Sequence, residues 1–278
     1  MLPEFSTQRP ETKEVALTLL RDLKDVKVLA GGTDLLVRMG RGSVHAHLMD
    51  IGALADLDCI EHGNGTLLVG AAATHRKVHE DHLVRTEAKS LSLASGLVGS
   101  PQIRNMGTIG GNLVNASPAA DSIAPLLVHD AKVVLESEAG SRRVALEEFI
   151  VAPYKTSIRD DELLTRIEIK SCEGYREGYR RVAKRAAWAI SRLSVAWAIK
   201  EEAGRFVEVR LAIGSCTPIP FRPKDAEAYL AGKEKGGQAS RVAIDMIVSG
   251  IRLASGERPS FVYKIPVLEA LLDEILRG

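Results

Sequence analysis

The sequence predicts an α+β fold in two units, residues 1–172 and 173–278. Three observations predict it. Strand-like and helix-like segments are interspersed from Thr12 to Lys170. The pattern then changes at Ser171–Gly178, where Glu173-Gly174-Tyr175-Arg176-Glu177-Gly178 reads as a polar, glycine-bearing linker. After it come three strands followed by three helices.

Taken in order, Thr12–Leu23 carries Val15, Ala16, Leu19, Leu20 and Leu23 on one helical face, with Thr12 as N-cap. Val26–Ala30 reads as a buried strand that runs into Gly31-Gly32-Thr33-Asp34, and a short helix begins near Leu35. His47–Ile51 is a second strand. Cys59–Glu61 and Thr66–Gly70 flank His62-Gly63-Asn64-Gly65, whose residues suit a hairpin turn. Thr74–Leu83 and Ala88–Val98 read as helices. Gly99–Ala120, rich in Gly, Asn and Pro, reads as a long loop, and Asp121–Val128 as a helix. Lys132–Glu136 and Arg142–Leu146 form a hairpin about Ala139-Gly140, and Leu163–Lys170 alternates as a strand. In the second unit the strands are Tyr179–Ala183, Leu193–Lys200 and Val207–Ile213, with a turn at Glu202-Ala203-Gly204. The helices are Pro223–Leu230, Ala239–Leu253 and Tyr263–Leu276.

With 278 residues the chain has length for one large core or two modest ones. Aromatic residues make up only 4%, so that core is aliphatic. A net charge of +1 gives no nucleic-acid or membrane-surface signature. No apolar run spans a bilayer, and Met1–Phe5 lacks the basic-then-apolar order of a signal peptide, so a cytoplasmic location is expected. Cys59, Cys172 and Cys216 are far apart and read as reduced, mostly buried thiols. The chain is therefore not expected to hold an iron–sulfur cluster itself.

Two segments carry the chemistry. In Val28–Asp34 a strand ends at paired glycines and a helix follows. Successive N–H groups in such a turn form an anion-binding concavity, and the helix adds its positive end. Alone, this loop reads more readily as a plain strand-to-helix turn, because a Gly-Gly pair is common. The second segment, Ile103–Asp121, holds three glycines and three asparagines among the apolar anchors Ile103, Met106, Ile109, Leu113 and Val114. A ligand with several hydroxyls and a diphosphate would satisfy its polar groups. Neither segment fits a P-loop or a GxGxxG dinucleotide turn. His75, His79 and His82 share a helical face, which suits a solvated surface better than a metal.

These residues resemble the FAD-binding subunits of the molybdenum hydroxylases, the family of xanthine dehydrogenase, aerobic carbon monoxide dehydrogenase and 4-hydroxybenzoyl-CoA reductase. Ala30–Asp34 resembles the family's first FAD loop, and Ile103–Asp121 its second, almost residue for residue. Val69–His75 resembles the segment between them. Leu211–Arg222, with Pro218, Pro220 and Arg222, resembles the strand and turn of the C-terminal domain.

The resemblance implies a two-part FAD-binding domain of the PCMH/vanillyl-alcohol-oxidase-like type. A smaller α+β domain with a three-stranded antiparallel sheet would follow. It implies that Lys27, Val28, Leu29, Ala30, Gly31, Gly32, Thr33 and Asp34, with Thr108, Ile109, Gly110, Gly111 and Asn112, wrap the diphosphate and ribityl chain through backbone N–H groups. Thr108 and Asn112 would add side-chain bonds, and Asp121 would take a hydroxyl of FAD, although Asp121 also suits a helix cap. Leu163 and Leu164 would pack against the cofactor. The family's cation near the flavin is a lysine, and Arg181 stands in its place. Trp188 or Ile190 would meet the isoalloxazine or fill the domain interface.

The implied role is electron transfer with no catalytic residue in this chain. A molybdenum cofactor in a large subunit would act on substrate, and two [2Fe–2S] clusters in a small subunit would conduct. FAD here would exchange electrons with NAD, a quinone or another carrier. A dimer of heterotrimers is the expected assembly. Two alternatives are a self-contained flavoprotein oxidoreductase and an assembly subunit that has lost FAD. The first would need a base or nucleophile that the sequence does not offer, and the intact glycines argue against the second.

Overall fold

The computed structural model describes residues 5–63, 65–185 and 190–278. The expectation for Trp188 lies outside the described residues.

The first unit begins with a small parallel sheet. Strands β1 (Ser6–Gln8), β2 (Val26–Leu29) and β3 (His47–Asp50) lie in the order β1-β3-β2. Helix α1 (Lys13–Asp22) packs on it through Ala16, Leu17 and Leu20, which meet Met49, Ile51, Leu57 and Leu163. Thr12 caps α1 as predicted, its hydroxyl accepting from the Val15 N–H at 3.3 Å. A short α2 (Leu35–Met39) follows the first glycine loop. Strand β1 was not foreseen, because three exposed or half-exposed residues carry no alternation to read.

The larger part of this unit is an antiparallel sheet. The hairpin β4 (Ile60–Gly63) and β5 (Thr66–Gly70) pairs through β5 with β10 (Leu163–Lys170). The hairpin β6 (Lys132–Ser137) and β7 (Gly140–Ala145) pairs through β6 with the other side of β10. Leu67, Val69, Val133, Leu135, Ile167 and Ile169 turn one face into a core shared with the helices. Those helices are α3 (His75–Glu80), α4 (His82–Glu87), α5 (Lys89–Leu97), α7 (Ile109–Asn115) and α8 (Ile123–Val128), while α6 (Pro101–Met106), between α5 and α7, buries no residue. Helix α9 (Leu146–Phe149) leads into the two-stranded ribbon of β8 (Ile150–Ala152) and β9 (Lys155–Thr156).

Three expectations are corrected. Gly99–Ala120 is not an irregular loop, because Ser100 caps α6, Pro101 starts it, and Thr108 caps α7. The helix expected over Thr74–Leu83 is broken at Asp81, whose ψ of 136° is extended and whose side chain caps α4. His75, His79 and His82 therefore share no single face. His75 is buried, and the His79 Nδ1 contacts the Ser92 carbonyl at 2.8 Å. The linker ends early, since β11 (Arg176–Ala183) already includes the buried Glu177 and Gly178.

Strands β11, β12 (Ser191–Glu202) and β13 (Arg205–Gly214) form a three-stranded antiparallel sheet, as the sequence predicts. Its two faces have different jobs. Leu193, Val195, Leu211 and Ile213 pack on α10 (Lys224–Leu230), α11 (Gly237–Ser255) and α12 (Phe261–Arg277). The alternate positions Tyr179, Ala196, Ala198 and Ala212 join the first core instead. Small side chains there let the sheet approach α5 and α8 closely.

Two buried polar clusters lock that contact. In one, Glu177 accepts from the Ser90 N–H at 3.1 Å and faces the His129 Nε2 at 3.1 Å. The His129 Nδ1 sits 2.9 Å from the Lys170 carbonyl, so both ring nitrogens meet acceptors. Burial alone would lower the His129 pKa, but Cys172 and Glu177 raise it to about 10. In the other cluster, Asp121 accepts from the Tyr179 hydroxyl at 2.6 Å and from Ser191, and pairs with Arg181 at 2.8 Å.

These clusters make two predictions. Folded His129 holds its proton above its unfolded pKa, so its contribution is complete below pH ~6.5 and is lost as pH rises through about 10. Denaturant unfolding should show stability falling from pH ~7 to ~9.5, with a shallower fall in His129→Gln. Arg181→Met should cost about 3–5 kcal/mol, because it strands a buried carboxylate. Adding Asp121→Asn should restore part of the lost midpoint.

Candidate functional site

The two glycine loops meet through bare backbone. A Cβ added at Gly31 would lie 1.8 Å from the Met106 carbonyl oxygen and 2.9 Å from the Gly107 Cα. Only glycine allows this approach. Gly32 completes the turn at φ +68°, in the left-handed region. Among the described residues, no acceptor meets the N–H groups of Gly31, Gly32, Thr33 or Asp34. Four consecutive unpaired donors form the kind of concavity that binds an anion.

The second loop is arranged differently. The Ile109 N–H donates to the Ala73 carbonyl and the Gly110 N–H to the Ala71 carbonyl, both at 2.9 Å. The Gly107 carbonyl accepts from the His75 N–H at 3.0 Å. Gly111 donates to the Thr108 hydroxyl at 3.1 Å, and Asn112 to the Thr108 carbonyl. The N–H groups of Ile109, Gly110, Gly111 and Asn112, expected to wrap a diphosphate, thus already have protein partners. Gly110 lies so close to the Ala71–Ala73 segment that its Cβ would fall 2.6 Å from the Ala71 oxygen. The Asn112 side chain accepts from the Ser122 hydroxyl, which leaves its NH2 group free to donate.

Between the loops lies a cleft. Of the predicted residues, Lys27, Val28, Ala30, Gly31, Gly32, Thr33 and Asp34 line it, with Thr108, Gly110, Gly111, Asn112, Leu163 and Leu164. Leu29 and Ile109 do not, and Ile109 is wholly buried in the core. Asp121 and Arg181 lie at the contact between the two halves and outside the cleft wall. Asp121 does not cap α8, and burial holds its pKa above the usual carboxylate range despite Ser191, Tyr179 and Arg181.

Sequence reasoning missed several wall residues. Val98, Ile103, Val114 and Ile158 add apolar surface suited to a planar heteroaromatic ring, and Arg38 adds a cation. Tyr154 reaches the cleft from the β8–β9 turn at φ +59°. His75 is 2% exposed, with a buried Nδ1 that no protein group partners. Desolvation, helped by Arg104, lowers its pKa to about 4, so it is neutral at ordinary pH. Glu162 is held by Arg142 at 2.6 Å and by the Arg159 N–H at 2.8 Å, which keeps it ionised. The cleft thus offers binding groups, and neither of these two titratable residues is a strong base.

Comparison with known proteins agrees with this geometry. Residues 3–170 match the family model described as FAD binding domain in molybdopterin dehydrogenase. Residues 178–277 match the CO dehydrogenase flavoprotein C-terminal domain. The chain is 31% identical to the glyceraldehyde dehydrogenase medium chain of Sulfolobus acidocaldarius, over 97% of this chain and 96% of that one. It is 30% identical to the xanthine dehydrogenase FAD-binding subunit of Escherichia coli O157:H7, over 98% and 94%. A solved carbon monoxide dehydrogenase of Hydrogenophaga pseudoflava, lacking the Mo-pyranopterin moiety of its molybdenum cofactor, superposes with a TM-score of 0.89 at 26% identity. That match covers 100% of this chain and 96% of the other. The chain belongs to the FAD-binding medium subunits of the molybdenum hydroxylase family.

Proposed function

We propose that this subunit holds FAD in the cleft and passes electrons between the [2Fe–2S] clusters of a small subunit and an external carrier. Substrate chemistry would occur at a molybdenum centre in a large subunit. The observation that carries the reading is the run of four unpaired N–H groups at Gly31–Asp34 on the cleft wall.

FAD supplies the redox chemistry, since its ring exchanges electrons singly or in pairs. The protein residues bind and orient. Gly31–Asp34 donate to the diphosphate, and Thr108 and Asn112 offer side-chain polar groups beside it. Leu163 and Leu164 pack against a ring, and Lys27 and Arg38 add positive charge at the rim. Asp121 and Arg181 fix the second half against the first and influence the flavin from there. The division at residue 172 separates the cofactor unit from the unit that closes on it. A heterotrimer assembled twice, in the cytoplasm, fits relatives whose names call them medium chains. Among the described residues no helix is long and apolar enough to cross a membrane.

The purified chain, reconstituted with FAD, should show flavin bands near ~450 nm, and a colourless product would overturn the reading. A Cβ at Gly111 meets only the Thr108 hydroxyl, at 2.9 Å, so Gly111→Val should fold while filling the cleft. FAD affinity should fall about 100-fold, equivalent to two tenfold steps, with little change in melting temperature. Gly31→Ala forces backbone against backbone and should lose about 2–3 kcal/mol of stability together with FAD. Native mass spectrometry of the complex reports the partner subunits.

A further inference from the structure

The cleft wall holds one buried polar ring that the two loops do not account for. His75 lines the cleft and is 2% exposed. It opens α3, and its backbone N–H donates to the Gly107 carbonyl at 3.0 Å. Beside it Thr74 and Thr108 pair as an isolated antiparallel bridge. The backbone around the ring is thus fixed by protein bonds. The ring itself is not. Among the described residues no group hydrogen-bonds either of its nitrogens. Nδ1 is sealed from solvent, and Nε2 is not. His129, equally buried, meets acceptors at both nitrogens.

Gly107 locates the ring. A Cβ at Gly107 would lie 3.3 Å from the Thr33 Oγ1 and 3.5 Å from the His75 Cδ2. Cδ2 is bonded to Nε2, so the Nε2 edge of the ring and the Thr33 hydroxyl border the same point. That point adjoins the first loop, since a Cβ at Gly31 would fall 2.9 Å from the Gly107 Cα. The imidazole therefore belongs to the wall that carries the unpaired N–H groups of Gly31, Gly32, Thr33 and Asp34.

A neutral imidazole has one N–H to place. On Nδ1 it would be a buried donor with nothing to accept it, which costs more than leaving a lone pair there. On Nε2 it remains open to a ligand. A charged ring would need a proton on Nδ1 as well. Burial opposes that proton, and so does Arg104 on α6.

We propose, resting on the cofactor reading above, that His75 is a neutral donor to FAD, its Nε2–H bonding a diphosphate oxygen next to Thr33. The segment between the two loops then contributes a side chain to the cofactor. Four peptide N–H groups and one imidazole N–H converge on the same anionic oxygens, and an ionised acceptor strengthens each bond. Because the donor is the neutral ring, the bond holds at pH ~7 and above.

The test titrates the FAD-free full chain with FAD and with inorganic diphosphate by calorimetry. His75→Gln places an amide NH2 at the reach of Nε2, His75→Asn places one at the reach of Nδ1, and His75→Leu places none. FAD affinity should stay within about threefold of the parent in His75→Gln and fall about tenfold in His75→Asn and His75→Leu. Melting temperatures are measured alongside, because a purely structural role would make affinity follow stability. Nitrogen-15 NMR of the parent reads the tautomer without any substitution. At pH ~8 the proton should sit on Nε2, and its resonance should move when FAD binds. A proton on Nδ1, equal affinity in every variant, or retention by His75→Asn with loss in His75→Gln would overturn the role. A parent that binds diphosphate but not FAD, with the same ranking of variants, would sink the cofactor reading and leave the donor standing. Binding of neither probe would sink both.

Discussion

The site depends on one contact, the approach of Gly31 to the Met106 carbonyl. The first loop ends β2 of the parallel sheet, and the second joins α6 to α7. No side chain fits between them, so their separation is set by peptide groups. Peptide groups are stiffer than side chains, which gives the cleft a fixed width.

The loops divide the work of binding. The second loop is braced before any ligand arrives, with its N–H groups bonded to the Ala71–Ala73 segment and to its own cap. The first loop has donors that lack partners. Leaving buried or half-buried N–H groups unpaired is costly, and a ligand that pairs them recovers that cost. Affinity therefore concentrates in the first loop while the second supplies shape. A braced wall also lowers the ordering entropy lost on binding.

Much of this was legible in the sequence. Thr12 announced its helix, turn residues announced the two hairpins, alternation announced Leu163–Lys170, and the family resemblance supplied the three-stranded sheet. Two helices, α6 and α7, were hidden by the composition of the segment around them. Glycine and asparagine are poor helix formers, yet Ser100, Pro101 and Thr108 supply caps and a fixed first residue. Asp121 was legible as a polar residue with a task and illegible as to which one. Its partners Tyr179, Arg181 and Ser191 lie 58 to 70 residues away, and pairing at that distance leaves no periodic trace. His75 was hidden for a related reason. A histidine among Arg76, Lys77 and Glu80 looks solvated, and only the approach of Gly107 shows that it is sealed.

The second half of the chain does more than cover the first. Its sheet turns aliphatic residues to its own helices and alanines to α5 and α8, so one sheet belongs to two cores. Alanines give closeness with little specificity. Register across that contact falls to the polar clusters, which satisfy their groups only when Glu177 meets His129 and Asp121 meets Tyr179 and Arg181. Because Asp121 ends the second glycine segment, the halves are keyed to the site and not merely to each other.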